Sequence, residues 1–343
     1  MKRIILVFLA IMIFACASVA DAEAKGKKSK QPKWLDNPQE VYPEGYYLSA
    51  IGEGDSRSYA EEMAAGNISR IFEAKVKADQ TVSNRYNEIV NAKGVNSTET
   101  TDINTNVNIT SEQTLLNLKF GESYTDKMGK VYVIAYIDRM KTAGIYETRI
   151  AEASQKIVEF LKNGDNSKNQ ILSYAFYNGA QLFNEQVNVM LQQLDIISSS
   201  TRGMIELGYE PNMLNEKVRQ ASENISFSIN LENDKDDKIK IVLQEMFTNM
   251  GFKLNDNGLL KVEGSVAYEE TDLKRNDYVF VRYDLKLKII DDRSEVVAAL
   301  TEKGREGHTS FTEAESRCVR KLQTKIDKKL QKKVIQYFDN LVK

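Results

Sequence analysis

Cys16 is the residue of this chain with the most definite chemical fate. It follows Met1, the cations Lys2 and Arg3, an unbroken apolar run over residues 4–14, and Ala15. A cationic start and roughly eleven apolar residues match an export signal, and the run is too short to span a bilayer as a mature helix. A cysteine where such a run ends is a lipidation candidate: cleavage before Cys16 would leave its sulfur to carry the acyl chains. Phe14 stands where such signals usually place a small residue. Ordinary cleavage is the alternative, at the small-x-small sites ending in Ala20, Ala22 or Ala24.

The other residues with chemical capacity are few. His308 is the only histidine, so a Ser-His-Asp or Cys-His device would have to use it. It follows a glycine, no nucleophile elbow precedes it, and it reads as a surface turn histidine. Cys318 is the only other cysteine and reads as a small buried apolar residue. No His/Cys pair has zinc-ligand spacing. Asn233-Asp234-Lys235-Asp236-Asp237 is acidic, but neither EF-hand register supplies both the sixth-position glycine and the twelfth-position acid, so it reads as a solvated turn capping the next helix. Gly52-Glu53-Gly54 would need a third glycine where Arg57 stands to bind a dinucleotide, and reads as a tight turn. Glu61-Glu62, Glu269-Glu270 and Asp291-Asp292 are adjacent pairs whose side chains diverge on a helix or strand. The expectation is a non-enzymatic protein with no catalytic, cofactor-binding or metal-binding residue and no cofactor.

Composition sets further limits. Charged residues make up 28% of 343, yet the formal net charge is −2, so no global field recruits a polyanion. Nucleic acid is not an expected partner, because the signal directs the chain out of the cytoplasm. One mature thiol, or two if Cys16 stays unmodified, cannot build a disulfide framework. Residues 25–33, rich in Lys, Gly and Ser, read as a flexible tether that would lie near lipid headgroups if Cys16 is acylated.

The elements that must position any site follow. Residues 46–52 read as a strand, 52–55 as its turn, and Ser56 or Ser58 as the cap of a helix running to about Phe72. Residues 73–90 and 98–110 alternate with period two and read as strands, and 115–124 and 130–140 as two more. The last is apolar on both faces, which places it centrally in its sheet. From Gly144 the period becomes helical: 145–162 is a helix, Asn163-Gly164-Asp165 breaks it, and 169–197 is its hairpin partner. Strands are expected at 225–231, 252–254, 259–266, 278–290 and 295–302, with a helix at 236–250 and a hairpin turn at 255–258. A long helix from Phe311 to about Leu341 carries an apolar stripe (Phe311, Cys318, Leu322, Ile326, Leu330, Val334, Phe338, Leu341) opposite a cationic remainder. That cationic side reads first as a solvated face, with lipid headgroups, a polyanionic wall polymer or an acidic partner as alternatives. Residues 52–61 echo 304–313: a glycine turn, then a Ser-aromatic-x-Glu helix start.

Pro32-Lys33-Trp34-Leu35-Asp36-Asn37-Pro38, then Tyr47-Leu48-Ser49-Ala50-Ile51-Gly52-Glu53-Gly54 and the Ala/Glu-rich helix to Phe72, resemble the bacterial lipoprotein-20 (Lpp-20-like) family over residues 32–142. The resemblance implies an exported, often outer-membrane-anchored α+β domain and carries over no catalytic residue.

The expected fold class is α+β: two small α+β domains with antiparallel sheets joined by a helical hairpin, with a long C-terminal helix. The expected organisation is a signal peptide at 1–24, a linker at 25–33, an Lpp-20-like domain at 34–142, a hairpin and connector at 143–221, and a second α+β domain at 222–343. The expected function is structural or protein-interacting, in the cell envelope. Its expected partners are the bacterial membrane, through a lipid on Cys16, and envelope proteins; localisation is at the outer membrane or in the periplasm. A carbohydrate-processing enzyme is the alternative from another class, if carboxylates converge in a pocket.

Overall fold

The computed structural model describes residues 31–76, 79–92, 115–275 and 277–343. Cys16, the signal, most of the linker and the expected strand at 98–110 lie outside them.

Two short helices, α1 (Lys33–Asp36) and α2 (Pro38–Val41), lead into β1 (Tyr47–Gly54) and α3 (Arg57–Glu73). Ser56 caps α3 by accepting from the Tyr59 amide at 3.3 Å. A Cβ on Gly52 would overlap the Ala60 carbonyl and the Ala64 backbone, so strand and helix meet backbone to backbone, where only glycine fits. Residues 73–90, expected as a strand, are instead largely helix α4 (Gln80–Ala92). Val82, Tyr86, Ile89 and Val90 recur at i, i+4, i+7 and i+8 and pack on the core as one helical face, with Tyr86 edge-on to Phe183 at 4.7 Å.

The strands β2 (Leu118–Thr125) and β3 (Val131–Asp138) complete an antiparallel sheet in the order β1-β3-β2. β3 is central, as its two apolar faces predict. Trp34, on α1, is buried, and the rings of Tyr42, Tyr47 and Tyr136 cluster at 4.8–5.8 Å.

The hairpin is α5 (Arg139–Asn166) and α6 (Gln170–Ile197). α5 starts earlier than its apolar period suggested because Asp138 caps it, accepting from the Lys141 amide at 3.0 Å. It also runs through the expected break: Gly164 lies against the Tyr177 ring, a packing contact and not a helix stop. α7 (Ser199–Met204) and α8 (Pro211–Asn224) follow, and α8 packs on α6.

The second sheet is mixed, in the order β5-β4-β6-β7-β8. Its elements are β4 (Ser226–Glu232), α9 (Lys238–Asn249), β5 (Lys253–Leu254), β6 (Leu260–Arg275), β7 (Tyr278–Ile290) and β8 (Val296–His308). This corrects two expectations. The sheet is not wholly antiparallel, since β4 runs parallel to both its neighbours, and the turn at 255–258 does not join a hairpin. The link instead crosses the start of β4: Asn255 donates to the Phe227 carbonyl at 2.9 Å, Leu259 to Ser226 Oγ at 3.1 Å, and Gly258 touches the Phe227 backbone so closely that a Cβ would overlap it.

The C-terminal helix runs as α10 (Phe311–Lys325), one π-helical turn (Ile326–Leu330) and α11 (Gln331–Leu341). Ser310 caps it with nearly the same backbone angles as Ser56, so the echo between 52–61 and 304–313 extends to capping geometry. Ala314, Cys318, Leu322, Ile326, Leu330, Val334, Phe338 and Val342 recur at every fourth residue and are all buried. Each four-residue step overshoots the 3.6-residue turn by about 40°, so the stripe winds round the helix. It faces β7 and β8 under α10, then α6 and α4 under α11, and the π turn absorbs part of the advance. A single apolar cluster therefore continues from the first sheet through the hairpin into the second. The architecture is mixed α+β.

Candidate functional site

The second sheet has two unlike faces. Strand alternation sends Val281, Tyr283, Leu285, Leu287 and Ile289 of β7 toward α9–α11, all buried. The intervening Arg282, Asp284, Lys286 and Lys288 occupy the other face, on which no described helix packs. Register sets them in rows across β6, β7 and β8: Glu269, Arg282, Arg305; then Ala267, Asp284, Lys303; then Ser265, Lys286, Thr301; then Glu263, Lys288, Ala299.

The first three rows, Thr301 excepted, line an open groove of about 640 Å³. Four cations (Arg282, Lys286, Lys303, Arg305) and two carboxylates (Glu269, Asp284) line it. Asp284 gives one oxygen to Lys303 at 2.7 Å, while its Oδ1 is buried with no hydrogen-bond donor among the described residues. Arg282 and Arg305 stand directly opposite each other, a cross-strand like-charge pair that disfavours the empty sheet. Among the described residues no carboxylate lies within ion-pair distance of Arg282, Arg305 or Lys286, although Glu269 is the cross-strand neighbour of Arg282. Such an arrangement can bind an anion between the arginines and offer carboxylate acceptors beside it.

The residues singled out in the sequence lie elsewhere. His308 ends β8 and is not in a turn, because the β7–β8 ladder extends to Val279↔His308; its Nδ1 is 3.1 Å from Thr309 Oγ1 and its ring 6.4 Å from that of Tyr278. Cys318 is fully buried, as expected; its thiol faces the Val281 carbonyl at 3.6 Å, and burial pushes its pKa up to about 11. Asp234 caps α9 as expected, accepting from the amides of Ile239 and Lys240 at 2.8–3.1 Å. Asp291 is buried and accepts from the Arg293 and Glu295 amides, while its neighbour Asp292 is exposed. The groove was missed because the reading of 278–290 used only its apolar residues. The signal was present in the complementary set, where charges alternate at 282, 284, 286 and 288.

A second hollow of about 280 Å³ lies between the α5–α6 turn and α8. Beside it Tyr177 donates to Asp165 at 2.5 Å, and Lys217 reaches the same oxygen. Burial raises the Asp165 carboxyl, but the hydrogen bonds from Lys217 and Tyr177 outweigh it and hold the group below its ordinary range. This cluster ties the hairpin to α8. Among the described residues no group of His, Cys, Asp and Glu is arranged to hold a metal ion, and no helix is long and apolar enough to cross a membrane.

No family model matches the chain, the lipoprotein-20 family included. No curated protein matches it. Among solved structures, a secreted protein of the human pathogen Helicobacter pylori is similar with a TM-score of 0.43 at 13% identity, over 85% of this chain and 97% of that one. A minor lipoprotein of Acinetobacter baumannii is similar with a TM-score of 0.24 at 18% identity, over 34% of this chain and 90% of that one.

Proposed function

We propose that this chain is an exported, lipid-anchored protein of the bacterial cell envelope that works by contact and not by catalysis. One observation carries the address: Lys2 and Arg3, the apolar run at 4–14, and Cys16 where that run ends. The lipoprotein-20 resemblance of residues 32–142 agrees with it. The charged face of the second sheet, on which no described helix packs, supplies a contact surface. Partners in this reading are the membrane, through the lipid on Cys16, and other envelope components at the sheet face.

Metabolic labelling with a fatty acid, wild type against Cys16→Ser, tests the anchor. The expected result is label on the wild type only, with the variant leaving the membrane fraction. Equal labelling, or none on either, rejects it; a mature N-terminus following Ala20, Ala22 or Ala24 would then identify a soluble periplasmic form.

A second reading, an enzyme acting on envelope carbohydrate, has one observation in its favour. Glu269 and Asp284 are diagonal neighbours lining the groove. Release of reducing ends from cell-wall glycan by the purified protein, abolished by Glu269→Gln, would replace the non-enzymatic reading.

A further inference from the structure

We infer that the groove across β6, β7 and β8 binds an acidic glycan, through anionic groups held by Arg282 and Arg305 and a hydroxyl donated to Asp284. The envelope reading supplies only the location of such a ligand; the recognition chemistry stands on the groove itself.

Three features select this ligand class. The first is charge: the lining carries four cations against two carboxylates in a chain whose formal net charge is −2, so the groove is locally opposite in sign to the whole. The two arginines have planar forks suited to carboxylate or phosphate, and their mutual repulsion is relieved when an anion sits between them. The second is the orphaned Asp284 Oδ1, a buried acceptor that lacks a donor. Leaving such an acceptor unpaired is unfavourable, and an anion alone cannot satisfy it, whereas a hydroxyl can. Ser265, at the next row, extends the polar lining with a hydroxyl of its own. The third is shape. Three rows two residues apart cover about 14 Å along the strands, and 640 Å³ is within the range of small-ligand sites, so the groove takes a short oligomer and not a single ion. An acidic peptide would match the charge but brings few hydroxyls.

The test is a titration of the purified full chain with fluorescently labelled uronate oligomers, alongside neutral dextran oligomers and phosphatidylglycerol vesicles. The uronate oligomer is expected to bind with an affinity that falls as salt rises, and dextran is expected not to bind. Arg282→Gln/Arg305→Gln should weaken uronate binding at least tenfold. Lys288→Gln, which removes a cation from the same face one row beyond the groove, should leave it within twofold. Asp284→Ala discriminates the mechanism: it releases Lys303 and removes a negative charge, so pure electrostatics would tighten binding, whereas hydroxyl recognition weakens it at least threefold. Unchanged or tighter binding by Asp284→Ala overturns the inference, as do equal binding of dextran, equal losses with Lys288→Gln, or binding to vesicles without binding to uronate. Thermal melts of each variant establish that it is folded, and Asp284→Leu, of similar size and without an acceptor, repeats the test if Asp284→Ala is not. The outcome is independent of fatty-acid labelling, so failure here and failure of the anchor are separate results.

Discussion

Removing Arg85 should destabilise this protein more than removing its partner, and more than removing both. Arg85 on α4 holds Asp339 on α11 with two hydrogen bonds, at 2.9 and 2.8 Å, across 254 residues of sequence. The side chains are 23% and 5% exposed, respectively. Breaking a buried pair by deleting one member costs about 3–5 kcal/mol, because the survivor is left charged and desolvated. Arg85→Met strands the more deeply buried carboxylate, so about 3–4 kcal/mol is expected. Asp339→Leu strands a guanidinium that still reaches water, so about 2 kcal/mol is expected after allowing for solvent screening. The double variant Arg85→Met/Asp339→Leu places two apolar side chains together and should lie within about 1 kcal/mol of wild type. Urea unfolding followed by circular dichroism, with the slopes compared, gives the cycle. If Arg85→Met lies within 1 kcal/mol of wild type, or the double variant equals the sum of the singles, the pair is not a buried unit and the reasoning fails.

Two further outcomes follow from buried polar groups. Asp291 is raised by burial but lowered further by the Glu295 and Arg293 amides and the Tyr337 hydroxyl at 3.0 Å, so its folded carboxyl titrates below the unfolded value of about 3.9. A depressed carboxyl stabilises fully above the unfolded pKa and loses that contribution as pH falls toward the folded one; wild type should therefore exceed Asp291→Asn by about 1–3 kcal/mol at pH 6, with the gap closing below about pH 4 in urea titrations at stepped pH. Cys318, with its thiol pushed up to about 11 inside the core, should not react with a thiol reagent at pH 8 in folded Cys16→Ser protein and should react fully in urea; rapid labelling of the folded chain would contradict its burial.

Local chemistry was legible in the sequence, and long-range pairing was not. The caps at Ser56, Ser310 and Asp234 depend on residues three to six positions away, and each forms as its spacing suggested. β3 could be placed centrally because its own two faces are apolar. α4 was not legible: Val82, Tyr86, Ile89 and Val90 are β-prone residues whose spacing suits a helix only when α6 supplies the surface beneath it. The turn at 255–258 is a genuine turn, yet its residues cannot disclose that β4 will lie between the strands it joins. The groove is the furthest case. Arg282 and Arg305 become neighbours only through the β7–β8 register, so neither their opposition nor the orphaned Asp284 oxygen exists until the sheet has formed.

The winding stripe of the C-terminal helix has a consequence for the order in which the molecule can be completed. Phe338 lies 4.8 Å from the Tyr174 ring of the hairpin, Val342 meets Gly179, and Asp339 is the partner of Arg85. These contacts form only after residues 338–342 have been made, well after the hairpin on which they pack. Early segments usually settle while later ones are still being made, but here α4 and one side of α6 lack their α11 contacts until that helix has been made. Until α11 arrives, that side of the hairpin lacks the apolar cover it has in the folded chain.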